Sequence, residues 1–129
     1  MENIQNLGFS TRQIHVGKVK NSAGALCDPI YQTSTFAFDT VEQGGARFAG
    51  TEPGYVYSRP ANPTTNAAEA KIASLENGEA AMATASGMGA ITAALYRSVV
   101  SGDEIIADET LYGCTFAFLS KEITQLGIK

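Results

Sequence analysis

Two short apolar segments constrain the fold most, because each of them lies between segments of helical periodicity. Residues 79–84 and 104–107 are predicted strands, and helices are predicted before, between and after them. Such alternation is typical of a parallel sheet with crossover helices. Two strands alone cannot bury both faces of such a sheet. Since Ile128 and Lys129 follow Gly127 where a third strand would begin, we expect the chain to stop in the middle of an α/β domain.

Local signals delimit the predicted helices of this half. Asn62 is a suitable N-cap with Pro63 as the first helical residue, and Gly78 is expected to close that helix. Ile72, Leu75 and several alanines of it are expected to face inward. Two further apolar stripes at helical spacing predict the next helices, namely Met88, Ile91, Leu95 and Val99, and then Phe116, Leu119, Ile123 and Leu126.

Residues 1–60 lack this regularity and are rich in Gly, Pro, Ser and Thr. Short helices are predicted at 11–16 and 41–48, and 30–38 is predicted to be an extended arm. A long arm with so little periodicity is expected to pack on another surface, and a partner subunit is the natural one. The predicted organisation is therefore an arm contacting the neighbouring subunit at 1–60 and an incomplete α/β domain at 61–129.

Charge and composition exclude several classes of function. The net charge is −4 and the basic residues are scattered, so we expect no binding to nucleic acid or anionic membrane. No apolar run reaches the roughly 18–20 residues of a membrane span, and Met1–Gln5 does not resemble a signal peptide. The distant Cys27 and Cys114 favour a reduced, cytoplasmic protein without a disulfide framework. His15 is the single histidine, so no metal site is predicted.

The turn formed by Ser86, Gly87, Met88 and Gly89 follows a predicted strand and begins a helix. Free backbone N–H groups and the helix dipole favour an anion such as phosphate at this position. The spacing matches neither a dinucleotide-binding motif nor a P-loop. On these residues alone, a turn of small residues that only packs a helix tightly against a strand is the favoured interpretation.

Two further segments carry side chains suited to a phosphorylated aromatic ligand. In an extended segment, Tyr57 and Arg59 lie on one side, where a phenol and a guanidinium can bind phosphate together. Tyr112 and Cys114 follow the second predicted strand, at the edge of a parallel sheet where ligands collect. Tyr112 is suited to stacking or proton transfer, and Cys114 to thiol chemistry. A packed tyrosine, a solvent-facing arginine and an inert cysteine are the alternatives.

In this order, the motifs resemble the Cys/Met-metabolism (trans-sulfuration) family of pyridoxal-phosphate-dependent enzymes. The resemblance covers Gly8 to Lys129, nearly the whole chain. The segments that carry it are GFSTRQIH at 8–15, PIYQTSTF at 29–36, YSR at 57–59, NPT at 62–64, ASGM at 85–88 and LYGCT at 111–115. It implies an aspartate-aminotransferase-like (fold type I) enzyme, of which this chain holds the extended arm and the first part of the large cofactor-binding domain.

The resemblance also implies roles for individual residues. The amides of Gly87 and Met88, with Ser86 beside them, would bind the phosphate of pyridoxal 5'-phosphate. Tyr57 and Arg59 would bind the phosphate of the neighbouring subunit's cofactor in a homodimer or homotetramer. Tyr112 would stack on the pyridine ring and assist proton transfer. Cys114 would be the cysteine that characterises the methionine gamma-lyase branch, since the other branches more often carry glycine there.

For that branch, the implied reaction is α,γ-elimination of methionine to methanethiol, 2-oxobutanoate and ammonia. The Schiff-base lysine, the aspartate at the pyridine nitrogen and the arginine for the substrate carboxylate are expected beyond residue 129, so the chain alone is expected to be inactive. Two alternatives stay open. One is another enzyme of the family, an O-acetylhomoserine sulfhydrylase or a cystathionine lyase or synthase. The other is a non-catalytic module that dimerises or binds phosphate.

Overall fold

The computed structural model describes residues 6–129. Residues 1–5, which were predicted not to be a signal peptide, lie outside them. The chain divides between Ala83 and Thr84 into two compact parts, which we call the N-terminal unit and the C-terminal unit. The elements are α1 at Phe9–His15, α2 at Val41–Phe48, α3 at Pro63–Leu75, α4 at Gly87–Ser98 and α5 at Gly113–Ala117. A π-helical turn at Phe118–Glu122 and a 3₁₀ turn at Ile123–Leu126 continue α5.

In the N-terminal unit, α1 packs against α3. The chain leaves α1 through Gly17, whose φ of 76° favours glycine. A Cβ on Gly17 would lie 2.2 Å from the carbonyl oxygen of Ala67, so only glycine permits this close approach to α3. The Arg12 guanidinium donates hydrogen bonds to the carbonyl oxygen of Ser74 and to Oδ1 of Asn77, the latter at 2.9 Å. These bonds fasten α1 to the end of α3.

The ends of α3 show where sequence signals succeed and where they fail. Asn62 caps the helix as predicted, and Pro63 is its first residue. At the other end Asn77 adopts the left-handed conformation, with φ of 56°, that was expected of Gly78. The prediction that Ile72 faces inward is wrong, because 54% of its surface is exposed. Among the alanines of α3, Ala73 is buried, whereas Ala68 and Ala70 are exposed.

The expected domain boundary at residue 60 falls inside the N-terminal unit. Helix α3 begins after that residue and packs with α1, which precedes it. The assignment of residues 1–60 to a partner-binding arm stays a prediction. Within the described residues, no helix is long and apolar enough to cross a membrane.

The C-terminal unit is built around a small apolar core. Its buried members are Phe118, Ile123 and Ile128. The predicted stripe on α4 packs against them through Met88, Leu95 and Val99, together with Ile105 and Leu119. The rings of Tyr96 and Phe118 meet edge to face, with centroids 5.7 Å apart. The predicted helix is thus confirmed, and three of the four residues of its apolar stripe pack against this core.

The two predicted strands, 79–84 and 104–107, are not formed in the described chain. A strand exists only through a ladder of hydrogen bonds to a neighbour, and no strand is assigned in either segment. One pairing at the C-terminus approaches a ladder. The amide of Lys129 donates to the carbonyl of Asp103 at 3.0 Å, and that of Ile105 donates to the carbonyl of Lys129 at 2.7 Å. This is the pattern of parallel neighbours, at the place where a third strand was expected to begin.

Candidate functional site

The turn before α4 is preorganised for an anion. Ser86 is the N-cap in an extended conformation, and its Oγ accepts a hydrogen bond of 3.0 Å from the amide of Gly89. The amides of Gly87 and Met88 belong to the first turn of the helix and have no intrahelical acceptor. A Cβ placed on Gly87 would meet no atom within 4 Å, so the space beside this residue is open. Two N–H groups and the positive end of the helix dipole therefore face that space.

A concave surface of about 380 Å³ lies in front of this turn. Its lining residues are Ser86, Gly87, Met88, Ile91 and Tyr112. The structure therefore brings together four of the predicted site residues, from two segments that are distant in sequence. Ile91 was singled out only as a member of the apolar stripe that predicts α4. Its position one helical turn after Gly87 could have placed it on the same side.

Tyr112 supplies an aromatic face to this surface. It is 70% exposed and precedes α5, and its carbonyl accepts a hydrogen bond of 3.0 Å from the amide of Phe116. The thiol of Cys114 raises the pKa of Tyr112, first by hydrogen bonding with the phenol and second by repulsion between the two negative charges. Cys114 itself is exposed and does not line the concave surface.

The segment before Tyr112 is held by a short polar turn. Oδ1 of Asp108 accepts hydrogen bonds from the Thr110 amide, at 2.7 Å, and from the Thr110 hydroxyl. These two bonds lower the pKa of Asp108, because both favour the ionised carboxylate. Behind the site, the buried Thr115 points its hydroxyl at the sulfur of Met88, with 3.6 Å between Oγ1 and Sδ. This contact joins α5 to the first turn of α4.

In the N-terminal unit, Tyr57 and Arg59 lie beside an isolated antiparallel bridge between Thr35 and Tyr57. The bridge has two backbone bonds, Phe36 to Val56 at 3.2 Å and Ser58 to Ser34 at 2.9 Å. Both predicted side chains are exposed, and the guanidinium carbon of Arg59 is 5.6 Å from the ring centre of Tyr57. The pair thus stays together as a phenol and a cation on one surface.

Asn62 holds this pair in place and is 6% exposed. Its Nδ2 donates to the carbonyl of Tyr31 at 2.9 Å and to Oγ of Ser58 at 2.8 Å. Its Oδ1 accepts from the amide of Thr64 at 2.8 Å, and Oγ1 of Thr64 accepts from the amide of Tyr31 at 2.9 Å. One buried amide therefore ties the start of α3 to Tyr31 and Ser58, one in each of the two segments that the bridge joins. Sequence reasoning found Asn62 only as a helix cap.

Tyr57 and Arg59 open onto a cavity of about 690 Å³ within the N-terminal unit. Arg47 lines the same cavity, along with the aromatic rings of Phe36, Phe38 and Phe48. Sequence analysis did not single out Arg47. Its neighbours come from segments that only the fold brings together.

These surfaces suit a phosphorylated aromatic molecule. The C-terminal unit offers two free amides for a phosphate and an exposed ring beside them, and open space at Gly87 leaves room for the ligand. The N-terminal unit offers a guanidinium and a phenol, which bind phosphate by charge-assisted hydrogen bonds. The residues therefore fit pyridoxal 5'-phosphate.

Comparisons with known proteins give the same answer. The family model for Cys/Met metabolism PLP-dependent enzymes matches residues 10–129. The chain is 56% identical over 125 residues to the L-methionine gamma-lyase of Treponema denticola, covering 97% of this chain and 31% of that protein. It is 53% identical over 128 residues to the L-methionine gamma-lyase of Porphyromonas gingivalis, covering 99% of this chain and 32% of that protein. The chain thus spans about a third of the length of these relatives.

Solved structures agree with the sequence relatives. A chain described as an O-acetylhomoserine (thiol)-lyase from Campylobacter jejuni, solved with N'-pyridoxyl-lysine-5'-monophosphate, matches with a TM-score of 0.86 and 31% identity. The cystathionine gamma-lyase of Lactobacillus plantarum matches with a TM-score of 0.77 and 36% identity. The matches cover 96% and 95% of this chain, and 31% and 30% of those chains. The predicted fold class is confirmed, although the sheet of that fold is not formed in the described residues.

Proposed function

Because the chain belongs to the Cys/Met metabolism family of pyridoxal-phosphate-dependent enzymes, we propose that it is the N-terminal third of a methionine gamma-lyase. The proposed reaction is α,γ-elimination of methionine to methanethiol, 2-oxobutanoate and ammonia. The observation that carries it is the identity of 53–56% to L-methionine gamma-lyases over nearly the whole chain. Cys114, the cysteine implied for this branch, agrees with it.

The cofactor, when bound, supplies an electron sink that makes the protons on the α and β carbons of the substrate acidic. In this proposal the amides of Gly87 and Met88 bind its phosphate, and Ser86 orients them by capping α4. The support is the open space at Gly87 and the two amides without intrahelical acceptors.

Tyr112 stacks on the cofactor ring and gives a proton to the departing thiolate. In this proposal the phenol acts in its protonated form, and the raised pKa of Tyr112 extends that form to higher pH. Cys114 contributes by maintaining that raised pKa. Its position beside the phenol supports this role, since the thiol is the largest cause of the shift.

Tyr57 and Arg59 bind the phosphate of a cofactor held by a second copy of the chain. They are exposed, they belong to a compact unit separate from the one with the Gly87 turn, and a buried amide fixes their backbone. The protein is therefore a homo-oligomer in this proposal, a dimer that builds its sites jointly and doubles to a tetramer. We place it in the cytoplasm.

The 129 residues alone are expected to be inactive. None of the lysines stands in a motif of the Schiff-base lysine, so the base that removes the α proton is missing. These lysines are Lys18, Lys20, Lys71, Lys121 and Lys129. Catalysis is expected once the remaining two thirds of the family's length are supplied.

The test is a fusion of residues 1–129 to the matching C-terminal part of the Treponema denticola L-methionine gamma-lyase, which we call the chimera. It should bind pyridoxal 5'-phosphate and release methanethiol from methionine. Arg59→Gln should weaken cofactor binding by about 10-fold to 100-fold, the worth of a charge-assisted hydrogen bond. Arg97→Gln is the matched control, because Arg97 is an exposed arginine on α4 and has no role in the proposed site. A chimera that folds and binds cofactor without releasing methanethiol would exclude the lyase reading.

A second candidate is a sulfhydrylase of the same family. The chain is 39% identical over 126 residues to the homocysteine synthase of Schizosaccharomyces pombe. It is 36% identical over 126 residues to the O-succinylhomoserine sulfhydrylase of Pseudomonas aeruginosa. Production of homocysteine from O-acetylhomoserine and sulfide, faster than methanethiol from methionine, would favour this candidate.

A further inference from the structure

We propose that Arg47 is a specificity-determining residue, which binds a carboxylate carried on the γ-substituent of the substrate. The inference rests on the proposed function, because it takes Arg59 as the ligand of a neighbouring copy's cofactor phosphate. Arg47 lines the same cavity as Arg59 and Tyr57. A side chain in that cavity therefore lies near the place where cofactor and substrate would meet.

The Arg47 side chain is held in one position by its surroundings. It leaves the last turn of α2 and is 19% exposed. Its Nε lies 3.5 Å from Oε1 of Glu52, and its guanidinium carbon lies 5.7 Å from the ring centre of Phe38. An ion pair on one side and an aromatic ring on the other fix the guanidinium before any ligand arrives. A fixed cation binds an anion without losing much side-chain entropy.

Gly54 makes room for this arrangement. A Cβ at that position would lie 2.4 Å from Nε and 2.8 Å from Cζ of Arg47. Any other residue would push the guanidinium away from its position. Gly54 and Arg47 thus depend on each other, because the Gly54 backbone packs directly against the charged side chain of Arg47.

The charge balance of the cavity is what points to an anionic ligand. Arg47 and Arg59 both line it, and no Asp or Glu is among the lining residues. Glu52, outside the lining, approaches Nε alone, and that contact does not meet hydrogen-bond geometry. Since a guanidinium has five N–H donors, Arg47 keeps the capacity to bind a carboxylate. With Arg59 assigned to the phosphate, Arg47 is available for a second anionic group.

A substrate of this family that carries such a group is O-succinylhomoserine, whose γ-substituent ends in a carboxylate. O-Acetylhomoserine is the matched neutral substrate, and the methylthio group of methionine is also neutral. Arg47 is therefore expected to discriminate among γ-substituents by charge. It should leave turnover of the neutral substrates nearly unchanged.

The experiment compares the chimera with its Arg47→Gln variant. The control is Lys20→Gln in the chimera, which removes an exposed positive charge of the same unit that does not line the cavity. The apparent dissociation constant of each substrate is read from the change in the cofactor absorbance spectrum, and kcat/KM from thiol release or sulfide consumption. For O-succinylhomoserine, Arg47→Gln should raise the dissociation constant about 10-fold or more. For O-acetylhomoserine and methionine the change should stay within about 2-fold, and Arg47→Lys should restore part of the loss.

The outcomes separate this inference from the proposed function. Equal losses for all three substrates, or weaker cofactor binding in Arg47→Gln, would mean that Arg47 serves the phosphate or the fold, and would overturn the inference. An unchanged ratio between the succinyl and acetyl substrates would overturn it as well. A chimera that does not cleave methionine would contradict the lyase proposal. The ratio of the apparent dissociation constants of O-succinylhomoserine and O-acetylhomoserine, read from the cofactor spectrum, would still decide the role of Arg47.

Discussion

The two units of the chain are stabilised by different interactions. The C-terminal unit has an apolar core of Phe118, Ile123 and Ile128, on which α4 packs one face. The N-terminal unit relies on polar side chains that bind backbone groups distant in sequence, with Arg12 and Asn62 as the main examples. Burial of apolar surface fixes the Gly87 turn, whereas hydrogen bonds fix the Arg59 segment. Both units expose large apolar side chains, among them Phe9, Ile14 and Phe48 in the N-terminal unit and Val100, Ile106 and Phe116 in the C-terminal unit.

This difference explains how each unit can position its own part of the proposed site. A unit whose backbone is held by hydrogen bonds can keep Tyr57 and Arg59 in place while its apolar side chains remain free for another surface. A unit with its own core can keep the phosphate-binding turn rigid. The proposed site needs both, one from each of two copies.

The largest effect is expected from removing the centre of the apolar core. Ile123 is 1% exposed, so Ile123→Ala should destabilise the C-terminal unit by about 2–5 kcal/mol. Leu126→Ala is the control, because this neighbour in the same turn is half exposed. Hydrogen–deuterium exchange should rise in α4 and α5 and stay unchanged in α1 and α3. An equal rise of exchange in all four helices would show that both units share one core, and would contradict the statement that the two units are stabilised separately.

The corresponding test in the N-terminal unit replaces Asn62. Asn62→Ala removes a helix cap and two buried hydrogen bonds, which should cost roughly 2–3 kcal/mol. Asn62→Asp keeps an acceptor for the amide of Thr64 but lacks the two donors, so it separates the cap from the link to the bridge. In the chimera, both variants should weaken cofactor binding in the same direction as Arg59→Gln. Normal cofactor binding despite a lower melting temperature would mean that Asn62 does not position Arg59.

A smaller effect is expected at Tyr112. Cys114→Ala removes the group that raises the pKa of Tyr112, so this pKa should fall toward its usual value of about 10. Because the phenol donates a proton in its neutral form, the alkaline limb of the activity profile of the chimera should move to lower pH. The tyrosinate absorbance, with Tyr112→Phe as the reference, reports the same shift. A limb that stays in place or moves upward would contradict the proposed role of Cys114.

The smallest effect is expected from Thr110. Thr110→Val removes the hydroxyl bond to Asp108, so the pKa of Asp108 should rise toward its usual value, while Thr110→Ser should preserve it. A pKa lowered by folding contributes stability above the unfolded value, and this contribution disappears as the pH falls through the folded value. Thr110→Val should therefore be slightly less stable than the parent at neutral pH, and the two should have the same stability at a pH below the folded pKa of Asp108. A carboxyl NMR titration measures the shift, and an unchanged Asp108 would contradict it.

Much of the architecture was predictable from local signals. The range 41–48 was predicted from its spacing and appears as α2, and Asn62 with Pro63 predicted the start of α3. The strands at 79–84 and 104–107 were not reproduced, because a strand depends on partners that local sequence does not supply. Ile72 was misplaced for a related reason, since its periodicity does not specify which surface it faces.

The site was predictable only in part. The turn at Gly87 carries a local signature, and the four residues that converge on one surface were all named in advance. The support from Asn62 and the fit of Arg47 against Gly54 depend on contacts that local sequence does not specify, whereas Cys114 and Tyr112 are only two residues apart. Whether Cys114 belongs to catalysis, and whether Tyr57 and Arg59 serve a second copy, stay predictions.

The central claim is that Arg59 and the Tyr112 surface complete one site from two copies, and mixing two impaired variants, at a cofactor concentration too low to saturate Arg59→Gln, tests it directly. Chimeras carrying Arg59→Gln and Tyr112→Phe are first assayed separately and then reassociated in equal amounts. Each mixed dimer would contain one site with both native residues, so random association should restore about a quarter of the parental methanethiol release. Activity no higher than the sum of the separate variants would show that both residues act within one chain, which contradicts the account.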